Sequence, residues 1–257
     1  MTTSTAPDDV SYLLPLFNAV APFRGPNAKL LSASPQPHSS LAADDTQLGS
    51  WRVSILVHSS LSAGVMHVDA LIRLVTEAKA LDPYSPWTLL RGALENFATS
   101  GWLLAGGDRM DRRCRALSLW DEDFRNRAQY ERDTGWTPPR PKAKSGEQRR
   151  EQIQRIAGGL GLTLRRPLAN EIISAAAHEA GLDPDRARAS WRVASGFAHG
   201  RFWPYMNATE PRSAAPLPDG YLFAFVVDDE KLKTLAMACE KLFVHAVERY
   251  QVRSAAP

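Results

Sequence analysis

The stretch that decides the fold runs from residue 61 to residue 75 and reads Leu61-Ser-Ala-Gly-Val65-Met-His-Val-Asp-Ala-Leu71-Ile-Arg-Leu-Val75. Its apolar residues recur at intervals of three and four, the spacing that brings side chains onto one face of an α-helix. The main stripe consists of Leu61, Val65, Val68, Ile72 and Val75. The pattern therefore predicts a helix with one buried face that ends before Pro83.

The same spacing recurs on both sides of this stretch and predicts further long helices. Ser85 and Pro86 have the residue types preferred at a helix start, and Gly106-Gly107 follows the last apolar residue of that segment. The other predicted helices cover residues 108–133, 147–158, 167–180, a segment opened by Asp183-Pro184, and 229–252. We therefore predict an all-α fold: a helical bundle of about four long helices with extra short helices and at most one short strand, at 221–227.

Composition divides the chain into an N-terminal segment and one domain. Residues 1–50 are rich in Ser, Thr, Ala and Pro, so we expect a mostly flexible segment, with a short apolar piece at 12–17 that could dock on the domain. Residues 51–257 are predicted to form a single helical-bundle domain. Long loops are expected near 134–146 and 203–220, where proline is frequent.

The overall composition narrows the class of protein. Hydrophobic residues make up 44% and charged residues 23% of the chain, which is typical of a globular protein. Two cysteines exclude a disulfide scaffold or a cysteine-rich zinc site. The longest strictly apolar run, Tyr221–Val227, is far shorter than the roughly 20 residues that span a bilayer. The first basic residue is Arg24, so no signal peptide is indicated; we expect a cytoplasmic protein without membrane association.

The net charge of +3 is unevenly distributed along the chain. Residues 109–166 carry 15 Lys and Arg against 8 Asp and Glu, while the segments on both sides are slightly acidic. A basic patch of this kind attracts nucleic acid, nucleotides or an acidic protein, although a solvated charged helix followed by a loop has the same composition.

The strongest candidate site lies in the sequence Trp191-Arg-Val-Ala-Ser-Gly-Phe-Ala-His199-Gly-Arg201-Phe-Trp203. Arg192, Ser195 and His199 share one helical stripe, because seven residues span nearly two turns. Imidazole transfers protons near neutral pH, and a guanidinium binds phosphate through two parallel hydrogen bonds. This pair has the groups that phosphodiester cleavage requires, and a structural role in a polar network is the alternative.

Other polar residues stand on or beside predicted apolar stripes, where burial without a partner is costly. Arg91 and Glu95 border the stripe of the second helix, and Asp121 interrupts that of the third. A bundle could bring them to the Arg192/His199 helix, so we take them as candidate binding residues together with Arg201 and Trp203. Structural ion pairs are the alternative for Arg91, Glu95 and Asp121.

The spacing Arg192-x6-His199 resembles the motif of the HEPN superfamily, whose members are helical bundles with an Arg, four to six residues and a His on a late helix. The resemblance covers residues 52–250 as a fold and only the two motif residues as a signature; Val193 stands where the family favours a polar residue. Many HEPN-like proteins are metal-independent ribonucleases that dimerise, and others are inactive binding or accessory domains. The resemblance implies RNA as a partner, a homodimer, no cofactor and no metal. The resemblance also implies that Arg192 and His199 are catalytic and that Ser195 orients the imidazole.

Two other functions remain open from the sequence. His67, Glu95, Asp121 and His199 offer two imidazoles and two carboxylates from four helices, a set that suits iron, manganese or zinc in a bundle interior. A binding or regulatory module with an inert polar core is the other possibility, so the sequence leaves open whether the protein is an enzyme.

Overall fold

The computed structural model describes residues 10–25, 34–79, 81–137, 143–218 and 220–257. Within these ranges the chain is an all-α helical bundle, as the sequence predicts, with one added β-hairpin. The helices are α1 (Leu14–Val20), α2 (Ser40–Leu48), α3 (Val53–Thr76), α4 (Ser85–Ala105), α5 (Arg109–Thr134), α6 (Gly146–Gly159), α7 (Ala169–Glu179), α8 (Pro184–Ala198), α9 (Trp203–Ala208) and α10 (Asp229–Ser254). The strands are β1 (Thr209–Leu217) and β2 (Gly220–Val227).

Helix α4 lies at the centre of the bundle, in contact with α3, α5, α7, α8 and α10. The predicted stripe of α3 is buried against it, with Leu61 and Val68 fully inaccessible. Gly64 lets the two helices approach closely, because a side chain there would overlap the ring of Phe97 on α4. The core of the fold is therefore the α3–α4 pair, extended by the long α10.

Helix α3 is also the one described helix that is long and apolar enough to cross a membrane by length and composition. Much of it is buried inside the bundle, where its apolar residues contact α1, α2, α4 and α5. The core helix of a globular domain passes the same test of length and composition.

The N-terminal 50 residues differ from the expected flexible segment wherever the structure describes them. Helix α1, with short 3₁₀ turns at Ser11–Leu13 and Ala21–Phe23, buries Leu13, Leu16 and Val20 in the core. Residues 1–9 and 26–33 of the predicted flexible segment lie outside the described residues.

Helix α2 is held to α5 by a buried ion pair. Asp44 is fully buried; its Oδ2 accepts a hydrogen bond from Arg112 Nε at 2.8 Å and its Oδ1 accepts one from Arg113 Nε at 2.9 Å. The next residue, Asp45, accepts hydrogen bonds from the backbone N–H and hydroxyl of Ser54 in the first turn of α3. Two consecutive carboxylates thus tie α2 to two long helices.

The loop predicted at 203–220 is instead α9 followed by β1. Strand β1 pairs antiparallel with β2, and the register shifts between Pro211 and Ser213. The strand at 221–227 is confirmed, but it has a partner, so the described residues form two strands where at most one was predicted. Proline is tolerated here because both strands of a two-stranded hairpin are edge strands, in which some backbone N–H groups need no hydrogen-bond partner.

Candidate functional site

Helices α4 and α8 pack against each other and position the candidate residues. Helix α8 starts where the sequence predicts: the Asp183 side chain accepts hydrogen bonds from the backbone N–H groups of Asp185 and Arg186, and Pro184 occupies the first turn. Helix α4 starts at Ser85, but Ser85 makes no capping bond. Asp82 Oδ1 accepts the Tyr84 and Ser85 N–H groups instead, at 2.9 and 2.8 Å.

The end of α8 is a Schellman motif that presents His199 at the helix terminus. The Arg201 N–H donates to the Gly196 carbonyl at 2.8 Å, and the Gly200 N–H donates to the Phe197 carbonyl at 3.0 Å. Gly200 has φ +61°, a left-handed conformation that strains other residues. The His-Gly-Arg sequence is thus a helix stop, and it leaves His199 and Arg201 exposed on the two sides of the glycine.

The predicted Arg91/Glu95 pair forms and reaches α8. Arg91 Nε donates to Glu95 Oε1 at 2.8 Å, and Trp191 Nε1 donates to the same oxygen at 2.6 Å. Arg91 Nη1 lies 3.4 Å from His199 Nε2. A guanidinium only donates hydrogen bonds, so this contact is a hydrogen bond in the tautomer whose Nε2 accepts. Glu95 therefore orients Arg91, and Arg91 reaches the imidazole.

Arg192 is exposed and makes no ion pair or side-chain hydrogen bond with any described residue. Ser195 is half-buried between Arg192 and His199 along the helix, and its carbonyl accepts the His199 backbone N–H at 3.1 Å. Its hydroxyl has no hydrogen bond to the imidazole among the described residues, and the side chain that reaches the imidazole is Arg91.

An aromatic cluster supports this end of α8. The Phe197 ring is buried and stacks on Trp87 of α4, with centroids 5.0 Å apart and an interplanar angle of 16°. Tyr84 and Tyr205 meet the same ring edge-on at 6.3 and 5.2 Å. Such pairs each add about 0.5–1.5 kcal/mol beyond the burial of their area, so the helix end that carries His199 is rigidly placed.

Beyond Gly200 the chain exposes several large side chains. Trp203, at 46% exposure, begins α9, and Phe202 and Met206 beside it are exposed to 72% and 65%. Helix α9 folds back onto α8 because Gly196 leaves room for Pro204, which a side chain there would overlap. Apolar surface of this kind next to a polar site is typical of contacts with a ligand or another protein.

Asp121 does not join this face. Its carboxylate is buried between α5 and α6, where Arg150 Nε donates to Oδ1 at 3.2 Å, Gln154 Nε2 to the same oxygen at 3.2 Å, and Arg125 Nη2 to Oδ2 at 3.2 Å. Asp121 therefore forms a structural ion pair, and most of its partners lie on the following helix, α6.

The proposed metal set is not assembled either. His67 on α3 packs against Gly92 of α4, where an added side chain would lie 2.6 Å from its Nε2, while Asp121 is engaged by arginines. Over the described ranges, no three His, Cys, Asp or Glu side chains are grouped to hold a metal ion. The hypothesis of an interior metal centre built from His67, Glu95, Asp121 and His199 is therefore wrong in its geometry.

No protein-family model, curated protein or solved structure matches the chain. We call the surface formed by Arg91, Glu95, Arg192, His199 and Arg201 the α4–α8 face. It carries three guanidinium groups and one imidazole against a single carboxylate among its own members, and it is open to solvent. Such a surface can bind an anion, and its imidazole can exchange protons with a bound group.

Three features of the site were not foreseen from the sequence. The hydrogen bond from Trp191 to Glu95 connects residues 96 positions apart, and the contact between Arg91 and His199 spans 108. Periodicity placed each residue on its own helix, but only packing chooses which faces meet. The exposure of Phe202, which stands between Arg201 and Trp203, was also not indicated by the sequence.

Proposed function

We propose that this chain is a HEPN-like helical domain that binds RNA at the α4–α8 face, in a binding or accessory role, and that metal-independent cleavage of the bound RNA is the activity to test there. The observation that supports the proposal is the exposure of Arg192 on α8 and of His199 at its C-terminal cap, with Arg91 of a second helix 3.4 Å from the imidazole.

The charge of the face supports an anionic partner. Arg192 has no acidic partner among the described residues, and Arg201 has none either, so neither guanidinium must give up an ion pair to bind phosphate. Guanidinium groups bind phosphate oxygens through charge-assisted, often bidentate hydrogen bonds. Arg91 keeps donors free on the side away from Glu95.

RNA is favoured over a small anion by the shape and composition of the surroundings. The face is an open surface rather than an enclosed cavity, and it continues to Trp203, whose exposed ring could stack an unpaired base. A chain of phosphates passing Arg192 and Arg201 would pair with each cation in turn, which makes binding salt-dependent.

Cleavage at this face would require His199 to accept one proton in the first half of the reaction and to donate one in the second. His199 accepts the proton of the ribose 2′-hydroxyl, whose oxygen attacks the adjacent phosphorus and displaces the 5′-oxygen of the next nucleotide. The imidazolium returns a proton to that leaving oxygen, while Arg192 stabilises the charge on the pentacoordinate phosphorus. The products carry a 2′,3′-cyclic phosphate and a 5′-hydroxyl. Arg91 would release Nε2 as it turns to the bound phosphate.

Incubation of the purified protein with total RNA in excess EDTA tests the cleavage step. We expect the wild type to produce ends with a 2′,3′-cyclic phosphate, and His199→Ala and Arg192→Gln to lose at least about 100-fold in rate, the usual scale of one acid–base or charge-stabilising group. His178→Ala, which removes an exposed histidine from the last turn of α7, is the matched control. Equal cleavage by wild type and His199→Ala, or none by either, rejects the nuclease activity and leaves the binding role.

We also propose that two copies associate through the apolar surface of Phe202 and Met206, which borders the α4–α8 face. Association there would bring the two Arg192/His199 stripes close to one another. Sedimentation velocity over a range of concentrations should show a dimer for the wild type and a monomer for Phe202→Glu/Met206→Glu. A wild type that stays monomeric at all concentrations rejects the dimer without affecting RNA binding by a single copy.

A further inference from the structure

A second candidate site lies far along the chain from the α4–α8 face, in a cleft between the turn that joins α2 to α3 and the helix α6. The cleft has a volume of about 600 Å³, within the range of roughly 300–1,000 Å³ typical of small-molecule sites. It is lined by residues 46–51 on one wall and by Lys144, Arg149, Gln152, Arg155 and Ile156 on the other.

The charge of this cleft is entirely of one sign. Lys144, Arg149 and Arg155 line it, and no carboxylate is among the lining residues. None of the three makes an ion pair with a described residue, whereas the neighbouring Arg150 is paired with both Asp121 and Glu147. Three unpaired cations facing one concave space repel each other, and an anion placed between them would relieve that repulsion.

The central cation is held in place before any ligand arrives. The Arg149 guanidinium lies 5.6 Å from the centre of the buried Trp51 ring, and Trp51 is fixed in turn by edge-on contacts to Trp120 at 5.7 Å and Phe124 at 5.3 Å. Arg149 Nε is buried and makes no hydrogen bond with the described residues. A stacked guanidinium loses little side-chain freedom when it binds, so it forms stronger contacts with an anion than a flexible cation does.

The remaining lining residues indicate more than a bare anion. Leu48 and Ile156 supply apolar surface, and Thr46, Ser50 and the amides of Gln47 and Gln152 supply neutral hydrogen-bonding groups. A phosphate group alone would fill only a small part of about 600 Å³. We infer that the cleft binds a small organic phosphate of about the size of a nucleoside monophosphate, with its phosphate at Lys144, Arg149 and Arg155.

Isothermal titration calorimetry with each of the four ribonucleoside monophosphates tests this site on the full chain, with adenosine and inorganic phosphate as separate arms. At least one nucleotide should bind, adenosine should not, and inorganic phosphate should bind at least about tenfold more weakly than the nucleotide, since it lacks the apolar contacts. Lys144→Gln/Arg155→Gln should weaken nucleotide binding by about tenfold or more, because two charge-assisted bonds are lost. Both substituted side chains are exposed, so the fold should be retained.

The matched control is Arg186→Gln/Lys241→Gln, which removes two exposed cations elsewhere and should bind as the wild type does. No binding by any nucleotide, equal binding by the cleft variant and the wild type, or binding of inorganic phosphate as tight as that of the nucleotides would each overturn the inference. An RNA oligomer that binds Lys144→Gln/Arg155→Gln more weakly than the wild type, with no nucleotide bound by either, would overturn it too, by assigning the cleft to a polymer. Because the variant leaves Arg192 and His199 intact, these outcomes are independent of the proposed RNA face.

Discussion

The indole nitrogen of Trp191 lies 2.6 Å from Glu95 Oε1 and joins α8 to α4 through the same oxygen that accepts from Arg91. One carboxylate thus fixes both the helix that carries His199 and the arginine that contacts it. This junction connects the two helices that form the α4–α8 face.

Glu95→Ala should therefore destabilise the fold as well as release Arg91. Two hydrogen bonds to a charged oxygen are lost, but the Glu95 side chain is 32% exposed, so we expect a loss of only about 1 kcal/mol in the free energy of unfolding. Urea denaturation measures it, with Glu151→Ala on the exposed side of α6 as the control. Identical stabilities for the two variants would show that the junction does not hold the helices together.

Asp44→Asn should be among the most damaging single substitutions in the chain. Arg112 is buried to 1% exposure, and loss of the carboxylate charge leaves its guanidinium without compensation inside the protein. We expect a loss of about 3–5 kcal/mol in unfolding free energy. Asp185→Asn, which breaks only the surface pair with Arg188, should cost less than about 1 kcal/mol in the same denaturation assay. A similar small loss for both would contradict the buried role of Asp44.

Two glycines of α6 should respond in opposite ways to alanine. A side chain at Gly146 would lie 2.6 Å from the Ala128 backbone nitrogen and 2.9 Å from the Phe124 carbonyl oxygen, so α6 must move away from α5. Gly158 has nothing within 4 Å of an added Cβ, and alanine there should stabilise the helix by about 0.5–1 kcal/mol. Thermal denaturation should show a lower Tm for Gly146→Ala and an equal or higher one for Gly158→Ala; the reverse order would contradict the α5–α6 packing.

Features set by neighbouring residues were predictable, and features set by distant ones were not. The helix starts at Asp108 and Asp183 were predicted, because capping depends on a few adjacent residues, but Ser85, expected to cap α4, does not do so and Asp82 accepts the N–H groups there. Helices α1 and α2 were missed because their stripes are short and lie among Ser, Ala and Pro, and their stability comes from the core that they cover. Strand β1 was missed because it contains prolines, which local rules exclude from a sheet interior.

The candidate site follows the same division. Arg192 and Ser195 lie on α8 as predicted, but the helix ends at Ala198 and His199 is its C-terminal cap; Arg91 and Glu95 pair as their i, i+4 spacing suggests. Asp121 was assigned to the same place because an acidic residue on an apolar stripe needs a partner, but the sequence does not tell which partner. Its partners Arg150 and Gln154 lie on the next helix. Residues 147–158 were predicted to be helical, but the prediction did not say which face of that helix turns towards Asp121.

Stability should fall as the pH is lowered through about 6.5. Burial lowers the pKa of His58 and of His245 below the usual 6.5. Near pH 6 the unfolded chain therefore binds more protons than the folded chain, and the free energy of unfolding decreases as the pH is lowered. Burial raises the pKa of Asp45 above 3.8; this opposes the trend only at more acidic pH. Calorimetric Tm values at pH 7.5 and 5.5 should show the decrease, and His58→Gln/His245→Gln should reduce it relative to the exposed-site control His178→Gln. A Tm that rises towards pH 5.5 would contradict this account.

The central claim is that the α4–α8 face binds RNA, and the salt dependence of that binding tests it most directly. Fluorescence anisotropy with a labelled single-stranded RNA should give an affinity for the wild type that falls as salt rises. For Arg192→Gln/Arg201→Gln the slope of log K against log salt should be smaller in magnitude by roughly 1.4, the value for two lost phosphate contacts on a single strand. Arg132→Gln/Arg166→Gln, which removes two exposed cations near α5, should keep the wild-type slope. No measurable RNA binding by the wild type, or the same slope for all three proteins, would contradict the claim.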